Sequence, residues 1–233
     1  VIRLDVRTNR WERIFYEQKR SPMTASSNDV FSITADHKGR VWIGLEGGGI
    51  RVYDRLSGEV KSCVHEPLNI PSLSDNAVRG IFCDNAGTMW IGTATGGVNK
   101  YAAGAHRFAV YHREPLNPKS LASDVVRTFC EDSEGNIWVG AVDGGLSRFL
   151  RKEGIFERHN YAPKRDTVLA SEDVWALAAA KDGTLWIGTQ NGLFAYHPKK
   201  NIRKVYRHNP QDARSLSNNT IRSLYFDRDG VLW

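Results

Sequence analysis

The chain has 233 residues, with 32 Lys and Arg against 26 Asp and Glu, so its net charge is +6 and its pI is near 9.3. Hydrophobic residues at 41% and charged residues at 25% match an ordinary folded chain, which excludes a disordered one, and the length fits one large domain or two small ones. The longest apolar stretches, such as residues 175–180, are too short to cross a bilayer, no leader opens at Val1 and the basic residues are scattered, so neither a membrane span nor nucleic-acid binding is expected.

Five tryptophans, Trp42, Trp90, Trp138, Trp186 and Trp233, recur at spacings of 48, 48, 48 and 47 residues. Around them the chain reads DHKGRVWIG from Asp36, DNAGTMWIG from Asp84, DSEGNIWVG from Asp132, AKDGTLWIG from Ala180 and DRDGVLW from Asp227. A period of this length means one supersecondary unit used about five times.

In chain order, the opening run VIRLD has the pattern of IRVYD from Ile50 and VNKYA from Val98, so residues 1–16 are expected to hold the last two strands of a unit. Each later unit shows short alternating apolar runs bounded by Gly, Asp, Asn and Pro, and none keeps a helical period. The third unit predicts strands over residues 125–131, 136–141, 146–149 and 155–159, with turns at Ser133-Glu134-Gly135 and Gly144-Gly145. In the first turn the glycine supplies positive φ, and the Asp three residues before it bonds the turn amides. Ala180 replaces that Asp in the fourth unit, and the later turn there, Gln190-Asn191-Gly192, is one residue shorter.

A lone four-stranded sheet cannot bury both faces, so the predicted fold is all-β: a β-propeller of four-stranded antiparallel blades, with each Trp filling the gap to the next blade. Two arrangements stay open. Residues 1–16 complete a closed five-blade ring begun by the C-terminal strands, or they precede a blade in a larger propeller, for example a seven-bladed one.

In a propeller the first strand of each blade lines the axis. The residue eleven before each Trp is Phe31, Arg79, Arg127, Trp175 and Arg222, which are arginines and aromatics throughout. Arginine offers a fork of donors to carboxylates, sulfates or hydroxyls, and an aromatic face stacks on a sugar ring or a cation. The bland reading is that these side chains span blade interfaces, each Arg paired with a neighbour's carboxylate or carbonyl. Three residues earlier stand Asn28, Asn76, Asp124, Glu172 and Asn219, which either face a ligand or cap the entering turn. Glu46, Asp143 and Gln190 are secondary candidates on the same face.

Other chemistry is set aside. Cys63, Cys83 and Cys130 lack the spacing of a disulfide framework or zinc cluster and read as small buried hydrophobes. Asp227-Arg228-Asp229-Gly230 lacks the later ligands of a calcium loop, and the glycine run after Gly44 has no helix behind it to hold phosphate. His65, His112, His159 and His208 recur at strand ends in four different units, so they cannot converge on one metal. No metal, cofactor or catalytic residue is expected.

The run SLSDNAVRGIFCDNAGTMWIGTATGGVNKY, Ser72 to Tyr101, and SLSNNTIRSLYFDRDGVLW at the C-terminus resemble the regulator-propeller repeat. That resemblance implies the periplasmic sensor region of a hybrid two-component histidine kinase, which binds a small-molecule ligand such as an oligosaccharide without catalysis. It also implies an adjacent propeller, a β-sandwich, the kinase domain and a homodimer as partners. Two other classes compete. Streptogramin-type lyases share an Asp-Gly-x-Leu-Trp repeat, but here Ile-Gly or Val-Gly follows the Trp, and no histidine falls in the first turn of an axis-lining strand. A protein-interaction scaffold is the third class, and a sugar-dependent stability shift separates it from a sensor.

Overall fold

In the computed structural model, which describes residues 1–14, 29–68, 72–102, 108–143, 145–159 and 173–233, every regular element is a β-strand. A first antiparallel pair, β1 (Ile2–Asp5) and β2 (Arg10–Arg13), is followed by four blades, each a four-stranded antiparallel meander. Blade one is β3 (Val30–Ala35), β4 (Val41–Leu45), β5 (Gly49–Tyr53) and β6 (Val60–Cys63). Blade two is β7 (Val78–Cys83), β8 (Met89–Thr93), β9 (Val98–Tyr101) and β10 (Ala109–Tyr111). Blade three is β11 (Val126–Glu131), β12 (Ile137–Ala141), β13 (Leu146–Leu150) and β14 (Ile155–Arg158), each bound within one residue of the sequence expectation. Blade four is β15 (Ala176–Ala179), β16 (Leu185–Gly188), β17 (Leu193–His197) and β18 (Ile202–Tyr206). The first strands touch in the order β3, β7, β11, β15, so they form the inner wall.

The core lies between blades. Trp42 packs against Val78, Ile81 and Met89 of blade two, Trp90 against Val126, Phe129 and Ile137 of blade three, and Trp138 against Val174, Leu177 and Leu185 of blade four. The glycine of each Trp-Ile-Gly or Trp-Val-Gly run sets how closely blades approach. A Cβ at Gly44, Gly92, Gly140 or Gly188 would come within 2.6, 2.5, 2.5 or 2.7 Å of Val78, Val126, Val174 or Ile221, the first-strand or entry residue of the next unit.

The turn Asp does more than bond amides. In Asp36, Asp84, Asp132 and Asp227 one oxygen accepts two turn amides. The other accepts the indole N–H of Trp42, Trp90, Trp138 and Trp233 at 2.9, 2.8, 3.0 and 2.7 Å. Where Ala180 breaks the pattern, buried His197 supports the turn instead: its Nε2 donates to the Asp182 carbonyl at 3.1 Å, 3.4 Å from where a Gly183 Cβ would sit. Cross-blade links continue on this side, with Arg151 Nη2 bonding Asp84 at 2.8 Å, Glu131 accepting the Asn85 amide at 2.7 Å and Lys199 pairing with Glu134.

At the two ends of the array the chain forms hairpins. β1 pairs with β2 alone, and Tyr225 and Trp233 exchange backbone hydrogen bonds at 3.0 and 2.8 Å. The strand pairing that a closed five-blade ring needs, β1 with the C-terminal strand, is not among the described pairings. Cys130 is buried, while Cys63 and Cys83 are half-buried, all as free thiols.

Candidate functional site

The inner-wall residues are aimed by a repeated bulge. In blade one the ladder pairs Val30 with Leu45 and then Ser32 with Gly44, so Phe31 has no opposite partner. Arg79 and Arg127 are skipped in the same way in blades two and three. An extra residue at a bulge leaves the alternation of its strand and re-aims its side chain. Small neighbours allow this: a Cβ at Gly80 would lie 2.5 Å from the Arg127 carbonyl oxygen. In blade four Trp175 stands just before β15, its amide donating to Gly188 at 2.9 Å, and Ile221, before Arg222, docks on Thr189 at 2.8 Å as Val174 docks on Ala141 at 3.0 Å.

The five residues assemble as two groups, each crossing a blade boundary. In the first, the Arg79 guanidinium lies 4.5 Å from the Phe31 ring centroid and pairs through both Nη atoms with Glu46, at 2.6 and 3.0 Å. In the second, Trp175 lies between two guanidiniums, with Arg127 Cζ 4.3 Å and Arg222 Cζ 3.8 Å from its ring centroid. Arg127 also pairs with Asp173 at 3.2 Å, and Asp173 accepts the Asp143 amide at 3.2 Å. Both Arg–carboxylate pairs are half-buried, where charge-assisted hydrogen bonds hold more firmly than at the open surface.

Burial leaves donors behind in the second group. Arg127 Nε and Trp175 Nε1 are both shielded from solvent and have no acceptor among the described residues. Arg222 is exposed, and among the described residues no carboxylate is paired with it.

The polar entry residues are committed elsewhere. Asn76, Asp124 and Asn219 each use a side-chain oxygen to accept the backbone amides of His65, Arg113 and His208, at 2.7, 2.6 and 2.7 Å. They pin the outermost strand's exit to the next blade's entry. Their carbonyls serve the shared loop face as well: Gly49 donates to Asn76 at 2.8 Å and Gly97 to Asp124 at 3.0 Å. Asn28 and Glu172 lie outside the described residues. Of the secondary candidates, Glu46 is drawn into the first group, while Gln190 is exposed on its turn.

Asp173 was not among the sequence candidates. It occupies the repeat position held by Asp29, Ala77, Val125 and Thr220, and the acid recurring there in units one and four was the available signal. The histidines at the strand ends make structural contacts. His65 and His208 bond the Leu73 and Leu216 carbonyls at 2.6 Å, and His159 packs between blades, 4.6 Å from the Trp138 ring and 3.1 Å from the Tyr196 hydroxyl. Burial pushes the His159 imidazole below its ordinary pKa, against the pull of Glu157. On the opposite face a cleft of 140 Å³ opens between blades three and four, where Arg148 bonds Asp132 and Glu134, both at 2.7 Å.

A family model described as two component regulator propeller matches residues 24–47, 72–95, 120–143, 168–191 and 215–233. Among solved structures, the extracellular domain of BT4673 from B. thetaiotaomicron, described as a hybrid two component system, is 21% identical with a TM-score of 0.78. The match covers 100% of this chain and 28% of that one. The corresponding domain of BT3049 from the same organism is 25% identical at a TM-score of 0.74, covering 93% of this chain and 28% of that one. Virginiamycin B lyase from Staphylococcus aureus is 17% identical at a TM-score of 0.62, covering 89% of this chain and 64% of that one, a likeness of fold alone. No curated protein matches the chain.

Proposed function

The chain belongs to the two component regulator propeller family, and from that premise we propose that it is a non-catalytic sensing propeller, extracytoplasmic and periplasmic, that binds a small polar ligand at the loop-face mouth of its inner wall. An oligosaccharide is the ligand class that fits best, since arginine forks and an aromatic face are what hydroxyls, carboxylates and a pyranose ring require. The observation that carries this reading is the repeated bulge, which turns Phe31, Arg79 and Arg127 out of their ladders at equivalent points of three blades.

Binding at such a mouth touches side chains from neighbouring blades, so it biases how blades sit against one another. A ligand shifts a conformational equilibrium only by its differential affinity for the two states. In the proposed parent protein those states are two placements of this propeller against an adjacent propeller, a β-sandwich and the kinase, in a homodimer.

The test is thermal unfolding of the protein against a panel of neutral and acidic oligosaccharides. A ligand that binds only the folded state raises the melting temperature with its concentration. One sugar is expected to do so, and to lose the effect in Trp175→Ala and Arg79→Ala. A cooperative melt that no sugar moves refutes the reading and favours a scaffold.

A further inference from the structure

We infer that the half of the mouth around Trp175 is an oxyanion subsite, taking a carboxylate or sulfate group, and that the half around Arg79 is closed to anions. The inference rests on the sensing reading for its biological setting, but its evidence is separate. The two halves differ in charge. Arg79 is met by both oxygens of Glu46, so that group is neutral, and its one atom without a hydrogen bond among the described residues, Glu46 Oε2, is an acceptor rather than a donor. Around Trp175 two guanidiniums meet one carboxylate, because Asp173 pairs with Arg127 and no carboxylate partners Arg222 among the described residues. Among the described residues, one positive charge is therefore left without a carboxylate beside the ring.

They differ equally in donors. Arg127 Nε and Trp175 Nε1 are buried N–H groups without an acceptor among the described residues, in one stacked pair only 4.3 Å from guanidinium carbon to ring centroid. Buried donors are nearly always paired, and an unpaired one calls for an explanation in function. Both need the same thing, an oxygen lone pair. Arg222, itself exposed, stacks on the same ring at 3.8 Å. An incoming oxyanion at the indole N–H edge accepts the two stranded donors, and the exposed Arg222 fork swings from the ring onto it. Asp173 accepts from Arg127 Nη2, and the Nε–H takes no acceptor among the described residues. A neutral hydroxyl accepts only one or two of these bonds and leaves the charge unmet, so the subsite discriminates by charge.

The experiment is a titration followed through the indole N–H resonances of the ¹⁵N-labelled protein, with Trp175 assigned by its loss in Trp175→Phe. D-glucuronate, D-glucose and sodium sulfate are the probes, at matched ionic strength. Glucuronate is expected to move the Trp175 resonance saturably, glucose to leave it in place, and Arg222→Ala to weaken the glucuronate affinity about tenfold or more, the loss of one charged hydrogen bond. Sulfate moving the same resonance also supports the subsite and shows that the anion alone suffices. An equal response to glucose and glucuronate overturns the anion subsite, as does a response unchanged in Arg222→Ala. If glucuronate leaves Trp175 unmoved while a neutral oligosaccharide raises the melting temperature, the subsite falls and the sensing reading stands. If glucuronate moves Trp175 but no panel member stabilises the fold, the sensing reading falls and the subsite stands.

Discussion

Replacing Asp84 by Ala is expected to destabilise the protein by about 3–5 kcal/mol, the range for removing one partner of a buried charged cluster. The side chain is wholly buried. Its Oδ1 accepts the Ala86 and Thr88 amides at 3.0 and 2.8 Å, and its Oδ2 accepts the Trp90 indole and Arg151 Nη2, each at 2.8 Å. The Trp90 indole and the Thr88 amide sit where water cannot take the place of the carboxylate, and each stranded donor costs about 1–3 kcal/mol. The exposed Ala86 amide and the half-buried Arg151 rehydrate and add little. Urea unfolding followed by tryptophan fluorescence reads the loss as a lower midpoint at unchanged slope. Coupling is tested in a Trp90→Phe background, where no indole N–H remains to be stranded and Asp84→Ala should cost about 1–2 kcal/mol less. A loss under about 1 kcal/mol, or an equal loss in both backgrounds, refutes the assignment of the Asp as an indole clamp.

Acid should act through the same groups. Burial works to raise the Asp36 and Asp84 carboxyls, but the Trp42 and Trp90 indoles, the turn amides and Arg40 or Arg151 more than offset it, leaving both below the ordinary 3.8. A depressed folded pKa means that the stabilisation is fully present above the unfolded value and is lost as pH falls below about 4 through the folded value. The acid limb of the stability curve should therefore be shallower in Asp84→Ala, and a parallel limb would count against it. Gly92→Ala puts a Cβ 2.5 Å from a Val126 methyl inside a blade interface and is expected to cost about 1–3 kcal/mol by urea midpoint. Gly188→Ala, facing Ile221 at 2.7 Å beside the terminal hairpin, should cost less, and the reverse order would mean that the hairpin packs more rigidly than the central blades. Burial pushes the Cys130 thiol far above its ordinary range, so in a thiol-reagent assay it should react only on unfolding, whereas fast native labelling at Cys130 would show an opening between blades three and four.

Much of this architecture is written in local chemistry. Gly39, Gly87, Gly135, Gly183 and Gly230 all take φ between 76° and 88°, as a glycine three residues after the turn Asp or its Ala180 replacement should. Trp42, Trp90 and Trp138 fall between blades because a β-strand residue three places past the turn glycine points to one fixed face. The reach of the Asp to the indole was not legible. Asp36 and Trp42 are six residues apart, and their contact depends on how tightly the turn folds back over the second strand. The closing of Asn76, Asp124 and Asn219 onto backbone amides eleven residues earlier likewise depends on the path of the connection into the next blade.

What the sequence by itself determined is the repeat, the four strands of each unit, the interblade tryptophans and the ring of Arg and aromatic residues that lines the inner wall. These follow from periodicity and turn chemistry, which act over a few residues. The tertiary structure alone decided that Phe31, Arg79 and Arg127 sit on bulges, that Glu46 neutralises Arg79, and that Trp175 lies between Arg127 and Arg222 with two donors unpaired. Those contacts join residues 33 to 48 positions apart in sequence, and whether a given carboxylate meets a given guanidinium is set by the twist and spacing of neighbouring blades. Local pattern carries no record of that geometry.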